Sequence, residues 1–457
     1  MKSIIRYIMC AIITQPLLPS ITPNNMPTDL SAFGELLTVE PTAIVQLQYP
    51  YGILNSNYVS TTGANGGTVT TSTNFAQLST GTGATGIAQL TSNRHLHYKP
   101  AQGCASLFTA LFSTGATGSS QKIGVGNIVP ANSTTIQDGF FYGYFNGTSY
   151  DYDQVTVNGT YNGTTFGIMH TCNGFTNFYP QSSWNVDNFS GGGGSTNPSG
   201  INLNPTFGNV YKIQYQWLGF GAIKFYIENP TTGVLTLVHI IQYANANTRT
   251  SLLNPSLQLL AQVSKTSGSS NITLNNPSFA GFIEGYVNSS RNERTTILSS
   301  TAAYTIPNNS PTFNNILTIK NETTFNGITN QIAIYPDKIS LINSGGGSTE
   351  VFFNFYLNPT FATPPTYETI NTVLGTTTSV ASFASSGTGT GTGYGQVSTV
   401  SGGTLLFSTY VVGGTSLLFS LSNLGLILEP GDVLCIAATR ITGVGSVLAS
   451  ISWLEEF

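Results

Sequence analysis

Asn209-Val210-Tyr211-Lys212-Ile213-Gln214-Tyr215-Gln216-Trp217, followed shortly by Ile223-Lys224-Phe225-Tyr226-Ile227-Glu228, decides the fold. Tyr211, Ile213, Tyr215 and Trp217 alternate with Lys212, Gln214 and Gln216; Ile223, Phe225 and Ile227 alternate with Lys224, Tyr226 and Glu228. Successive side chains of a strand point to opposite faces, so a period of two describes a strand with one buried side. Asn229-Pro230-Thr231-Thr232-Gly233 then supplies a turn before Val234 to Ile241, which makes an antiparallel meander.

The same period recurs on both sides of this meander. Val45, Leu47 and Tyr49 alternate with Gln46 and Gln48 until Pro50 and Gly52 end the run. Ser106 to Phe112, Lys122 to Val125, Phe140 to Phe145 and Phe279 to Val287 read as further strands. Beyond them, Val351, Phe353, Phe355 and Leu357 alternate with Asn354 and Tyr356, and Val447, Ala449, Ile451 and Trp453 form a closing strand. Glu429-Pro430-Gly431-Asp432 has Pro and Gly where a type II turn wants them. Thr61 to Gly86 has turn chemistry and little apolar periodicity, so it reads as a long loop or weak hairpin on the surface. Ser190 to Gly200, with four consecutive glycines, reads as a mobile loop, and Ser385 to Gly395 as a surface loop.

Composition agrees with this pattern. Only 7% of the 457 residues are charged while 40% are hydrophobic, and 50 are glycine. Too few Glu, Lys and Arg are present to build many solvated helical faces, whereas Thr, Ser, Asn and Gly suit strands and turns. The expected class is all-β: two β-sandwich or jelly-roll-like domains, the first a candidate concanavalin-like fold, with Gly/Thr/Ser-rich loops and very little helix. The expected divisions are an N-terminal extension over 1–25, an arm over 26–42, a first sandwich over 43–290 for attachment or recognition, and a second over 291–457 for assembly. Asn288 to Thr296, polar and without bulky apolar residues, marks the boundary.

Lys2, Arg6 and the apolar run from Ile8 to Leu18 have the form of a signal peptide, yet Met26-Pro27-Thr28-Asp29 reads equally as an ordinary start. No apolar run is long enough for a membrane helix. A net charge of -4 leaves no basic stripe for phosphates, so no nucleic-acid partner is expected. Cys10, Cys104, Cys172 and Cys435 lack metal-ligand spacing and read as buried free thiols. Sequons occur at Asn132, Asn146, Asn158, Asn162, Asn271 and Asn321.

Catalytic signatures are missing: no GxSxG, no phosphate loop and no ExDxxE strand motif, so an enzyme is not expected and no cofactor is implied. Glu228 and Glu284 read as isolated acids on solvated strand faces. His95-Leu96-His97 puts two imidazoles on one strand face without a nearby third ligand, and a solvent-facing edge beside Arg94 and Lys99 explains them as well. Asp151 and Asp153, flanking Tyr152 in a turn-rich segment, are candidate calcium ligands although the EF-hand spacing is absent. Tyr142, Tyr144, Tyr150, Tyr152 and Tyr161 are candidate carbohydrate-stacking residues, with cross-strand packing as the competing explanation.

Phe33-Gly34-Glu35-Leu36-Leu37, Val45 to Tyr51, Tyr161-Asn162-Gly163-Thr164-Thr165-Phe166-Gly167-Ile168, Asn209 to Gly221 and the closing Ser450 to Glu456 resemble virion structural proteins of tailed phages and other large double-stranded DNA viruses. The resemblance covers most of the chain after Met26 and implies a capsid decoration, fibre or receptor-attachment protein on the virion surface. It implies other virion proteins, a host surface glycan and further copies of this chain as partners, with a homotrimer preferred, acting by multivalent binding. The alternative is a secreted carbohydrate-binding or carbohydrate-cleaving β-sandwich protein.

Overall fold

A computed structural model describes residues 31–34, 41–53, 59–129, 134–285, 294–298, 303–306, 312–371 and 377–456. The extension over 1–25, most of the 26–42 arm, the Asn132 sequon and most of the polar segment from Asn288 lie outside the described residues. The chain is all-β. Among the described residues, helix is limited to the single turns Gln181–Ser183 and Ser422–Leu424, and no helix is long and apolar enough to cross a membrane.

Residues 42–283 form two sheets, nine-stranded and seven-stranded. In the first, the meander Asn209–Tyr215, Ile223–Glu228, Leu235–Ile241 pairs antiparallel as its alternation requires, Tyr211 opposite Ile227 and Ile213 opposite Phe225. Asn209–Tyr215 also pairs with Cys104–Phe112, which receives Ser278–Ile283 on its other side. The second sheet runs Phe175–Pro180, Val157–Cys172, Ile136–Tyr150, Ser119–Ile128, Leu257–Lys265, Gly86–Leu96, Val59–Ala64, every neighbour antiparallel. The inner faces meet in an aromatic core: Tyr142 of one sheet packs on Tyr211 and Phe225 of the other at 4.8 and 5.5 Å between ring centroids. A sandwich of this kind is the arrangement that a concanavalin-like reading of this half calls for.

Residues 294–456 form a five-stranded and an eight-stranded sheet around a second apolar cluster containing Ile339, Phe353, Phe355, Ile436, Ile451 and Trp453. No described strand of one half pairs with a described strand of the other.

Two loop expectations are corrected. Thr61 to Gly86 is not a long loop but largely strand, Val59–Ala64, Thr68–Ser72 and Phe75–Ser79, the last two paired as the hairpin that the alternative reading allowed. Ala76 and Leu78 are buried on alternate positions with Gln77 between them, and the many β-branched threonines fit a pleated surface although they hide the apolar pattern. Ser190 to Gly200 is irregular but tied down. The Asp187 carboxylate accepts the Ser199 N–H at 2.9 Å, Thr196 O accepts the Asn188 N–H at 2.9 Å, and Asn197 is buried. These bonds hold the glycine run in place despite its entropy cost.

One close approach in the seven-stranded sheet constrains the sequence. A Cβ at Gly143 would lie 1.8 Å from the carbonyl oxygen of Gln121, so only glycine fits there.

Candidate functional site

The hairpin of Ile136–Tyr150 and Val157–Cys172, with its tip, carries all five tyrosines singled out from sequence. The structure separates them. Tyr142 and Tyr144 point into the sandwich and are buried, so they are unavailable for stacking on a sugar. The Tyr142 hydroxyl donates to the Tyr226 carbonyl at 3.1 Å, and the Tyr144 ring packs against Phe166 at 5.3 Å. Competing cross-strand packing is therefore the correct account of these two. Tyr161 lies half-buried in a separate apolar cluster, its ring 4.5 Å from that of Phe178. Tyr150 and Tyr152 belong to the hairpin end.

That end is built by turn chemistry. The Asp151 N–H donates to Thr156 O at 2.7 Å, the Gln154 N–H to Asp151 O at 2.9 Å, and Gln154 adopts φ 63°. The Asp153 carboxylate accepts the backbone N–H groups of Val155 and Thr156, each at 2.8 Å, and the Thr156 hydroxyl. These bonds, the Thr156 hydroxyl first, hold its carboxyl below the usual carboxylate range. Asp153 thus serves the turn, and among the described residues no three His, Cys, Asp or Glu side chains gather in a group that could hold a metal ion.

The tip folds back over the sheet end. The Tyr152 ring meets Tyr243 edge-on at 4.9 Å, and the Gln154 side chain donates to Cys172 O at 3.2 Å while accepting from Arg249 at 2.9 Å. A depression of about 10 Å³ results. Asp151, Gln154 and Asn177 line it with polar groups and Tyr152, Phe175 and Tyr243 with aromatic ones; His170 and Cys172 complete the lining. Tyr150 braces Phe175 edge-on at 5.2 Å. Such a volume admits about one water-sized group, such as a single hydroxyl.

His170 is the buried polar group of this lining. Its ring stacks on Phe140 at 5.2 Å and its Nε2 lies 2.5 Å from the Ser251 carbonyl oxygen. A carbonyl only accepts, so the ring proton sits on Nε2. Burial pushes the His170 pKa down to about 4 against the opposing Ser251 bond. The neutral ring thus leaves Nδ1 as a buried acceptor, and no hydrogen-bond partner meets it among the described residues.

His170, Phe175, Asn177 and Tyr243 were not anticipated, since they come together from separate segments. One signal was readable for Phe175. Asn173-Gly174, at φ 54° and 80°, is a two-residue hairpin turn that sets Phe175 opposite Cys172.

A second polar convergence lies between the halves and corrects the reading of His95 and His97 as a solvent-facing edge. His95 Nδ1 lies 3.2 Å from Glu429 Oε2, and His97 Nε2 lies 3.3 Å from Glu429 Oε1. All three side chains are mostly buried. Glu284 is likewise not on a solvated face: it is buried and accepts from the Gln214 amide.

No family model and no curated protein sequence matches the chain. Solved structures similar in fold include lectin II from Ulex europaeus, at 10% identity over 53% of this chain and 100% of that one, TM-score 0.31. The VIP36 exoplasmic/lumenal domain gives 11% over 55% and 99%, TM-score 0.32. A protein of unknown function from Shewanella oneidensis gives 8% over 59% and 100%, TM-score 0.34.

Proposed function

We propose that the chain is a non-catalytic glycan-binding protein whose first sandwich presents a shallow site at the 150–157 hairpin end. The observation that carries this reading is the meeting of Asp151, Asn177 and the Tyr150-braced Phe175 at one small depression. A carboxylate and an amide suit adjacent ring hydroxyls, and an aromatic face suits the apolar side of a sugar. Glycoside hydrolysis needs two carboxyl groups flanking one bond; the depression is lined by Asp151 alone, and Asp153 is engaged in its turn. Binding is therefore favoured over cleavage.

Glycan arrays with the purified chain, followed by titration of any hit, test this. Asp151→Ala and Phe175→Ala should each weaken binding roughly tenfold or more, while Tyr161→Ala leaves it unchanged. Absence of any glycan ligand, or full affinity in both variants, overturns the reading.

Display on a virus particle, where many copies would give such a site avidity, is the setting we propose on the resemblance of Asn209 to Gly221 and Ser450 to Glu456. Self-association is favoured by two uncharged strands, Thr404–Val412 and Thr415–Ser420, each at the edge of its sheet and exposing Leu405, Tyr410 and Leu418. Mass spectrometry of native particles checks it: fixed stoichiometry supports display, and absence from particles sinks it.

A further inference from the structure

We infer that the two halves are joined by a pH-sensitive latch, in which His95 and His97 of the first half clamp the buried carboxylate of Glu429 in the second. Three hydrogen bonds crossing between the halves converge on this one side chain: from the His95 backbone N–H at 3.4 Å and from the two imidazoles at 3.2 and 3.3 Å. The parts are delivered by features of different kinds. Period-two geometry puts both imidazoles on one side of the chain at the end of Gly86–Leu96, and the turn from Glu429 to Asp432 offers the acid.

The neighbouring groups give the latch its sign. Glu429 faces His95 and His97 across the junction and Asp432 within its own turn, where an Asp432 oxygen accepts the Glu429 N–H at 2.9 Å. Arg94 and Lys99 flank the histidines along the chain. Asn358 holds Asp432 at 2.8 Å. Burial raises the Glu429 carboxyl, yet the charge of His97, the bonds from both histidines and the charge of His95 together outweigh it and keep the group ionised far into acid. A buried carboxylate beside a second acid is stable only while a cation faces it. Imidazole is the side chain whose charge changes between about pH 5 and 8.

The linkage follows. Protonated rings make complete imidazolium–carboxylate pairs across the junction and favour docking; when the rings give up their protons the charge pairing is lost, only neutral N–H donors face the Glu429 anion, and the halves loosen. Because no described strand pairing bridges the halves, losing these contacts changes their arrangement without unravelling either sandwich.

Small-angle X-ray scattering of the full chain at about pH 5.5 and 8.5, in a dilution series that separates association from shape, tests the latch. The wild type should be compact in mild acid and extended in mild base, with the docked-to-undocked ratio changing roughly tenfold or more. Glu429→Gln, nearly isosteric, and the double variant His95→Gln, His97→Gln should both lose this dependence while keeping their β-sheet circular dichroism. A wild-type radius of gyration that does not change between the two pH values overturns the proposal, even if a variant fails to fold. So does Glu429→Gln responding to pH as the wild type does.

Discussion

Tyr142 and Tyr150 stand eight positions apart on one strand and have opposite fates, because position along the sheet and neighbours, not residue type, decide what a tyrosine does. Tyr142 is surrounded by Tyr211, Phe225 and Trp184, and burial drives its hydroxyl pKa far up. Replacing it with alanine should cost about 3–5 kcal/mol in denaturant unfolding. Tyr142→Phe removes only the bond to the Tyr226 carbonyl and should cost about 1 kcal/mol. Tyr150→Ala should change stability by about 1 kcal/mol or less while weakening any glycan affinity that depends on Phe175. Sequence grouped these residues along the chain but could not tell which face is the core, because Phe141 and Phe145 make the other side of the same strand equally apolar, nor how far along the strand the facing sheet reaches.

At the scale of elements, the meander and the turns were legible because each announces itself over a few residues. Tyr211 to Trp217 and Ile223 to Ile227 each alternate without a break, and Gly431 occupies the left-handed position of its turn at φ 98°. Gly431→Ala should therefore destabilise the second half by about 1–2 kcal/mol, measured by thermal unfolding, and displace Glu429 from the imidazoles. The strands hidden between Thr61 and Gly86 were not legible: threonine serves turns and pleated edges alike, and only pairing, such as Val69 opposite Leu78, decides between them. The depression at the hairpin end was half legible. Its local part, Asp151 and Tyr152, was read from the sequence, whereas His170, Asn177 and Tyr243 depend on sheet order, which no local pattern states.

For the whole molecule, acidity should act in two opposed directions. Burial pushes both His170 and His239 down to about 4 from an ordinary 6.5. Between those values the unfolded chain binds more protons than the folded one, so stability is present above about pH 6.5 and is lost as pH falls toward 4, by roughly 2–4 kcal/mol for each ring. Urea midpoints measured from about pH 7 to 4 should fall in the wild type and fall less in His239→Gln. The proposed latch at Glu429 has the opposite sign, tightening as its imidazoles gain protons. A mildly acidic compartment would thus hold the halves in a fixed arrangement while bringing one of them nearer to unfolding.

The glycine at position 143 bears on how the chain reaches this state. Both faces of Ile136–Tyr150 are apolar, so a one-residue slip against Ser119–Ile128 would exchange one oily surface for another, and hydrophobicity would do little to forbid it. Collision forbids it instead. A slip would require Tyr142 or Tyr144 to take the place of Gly143, whose backbone lies against the Gln121 carbonyl at a φ of 153° where a Cβ would meet that oxygen. The gap left by a missing side chain thus acts as an alignment notch, rejecting misregistered hairpins while the sheet is still being assembled.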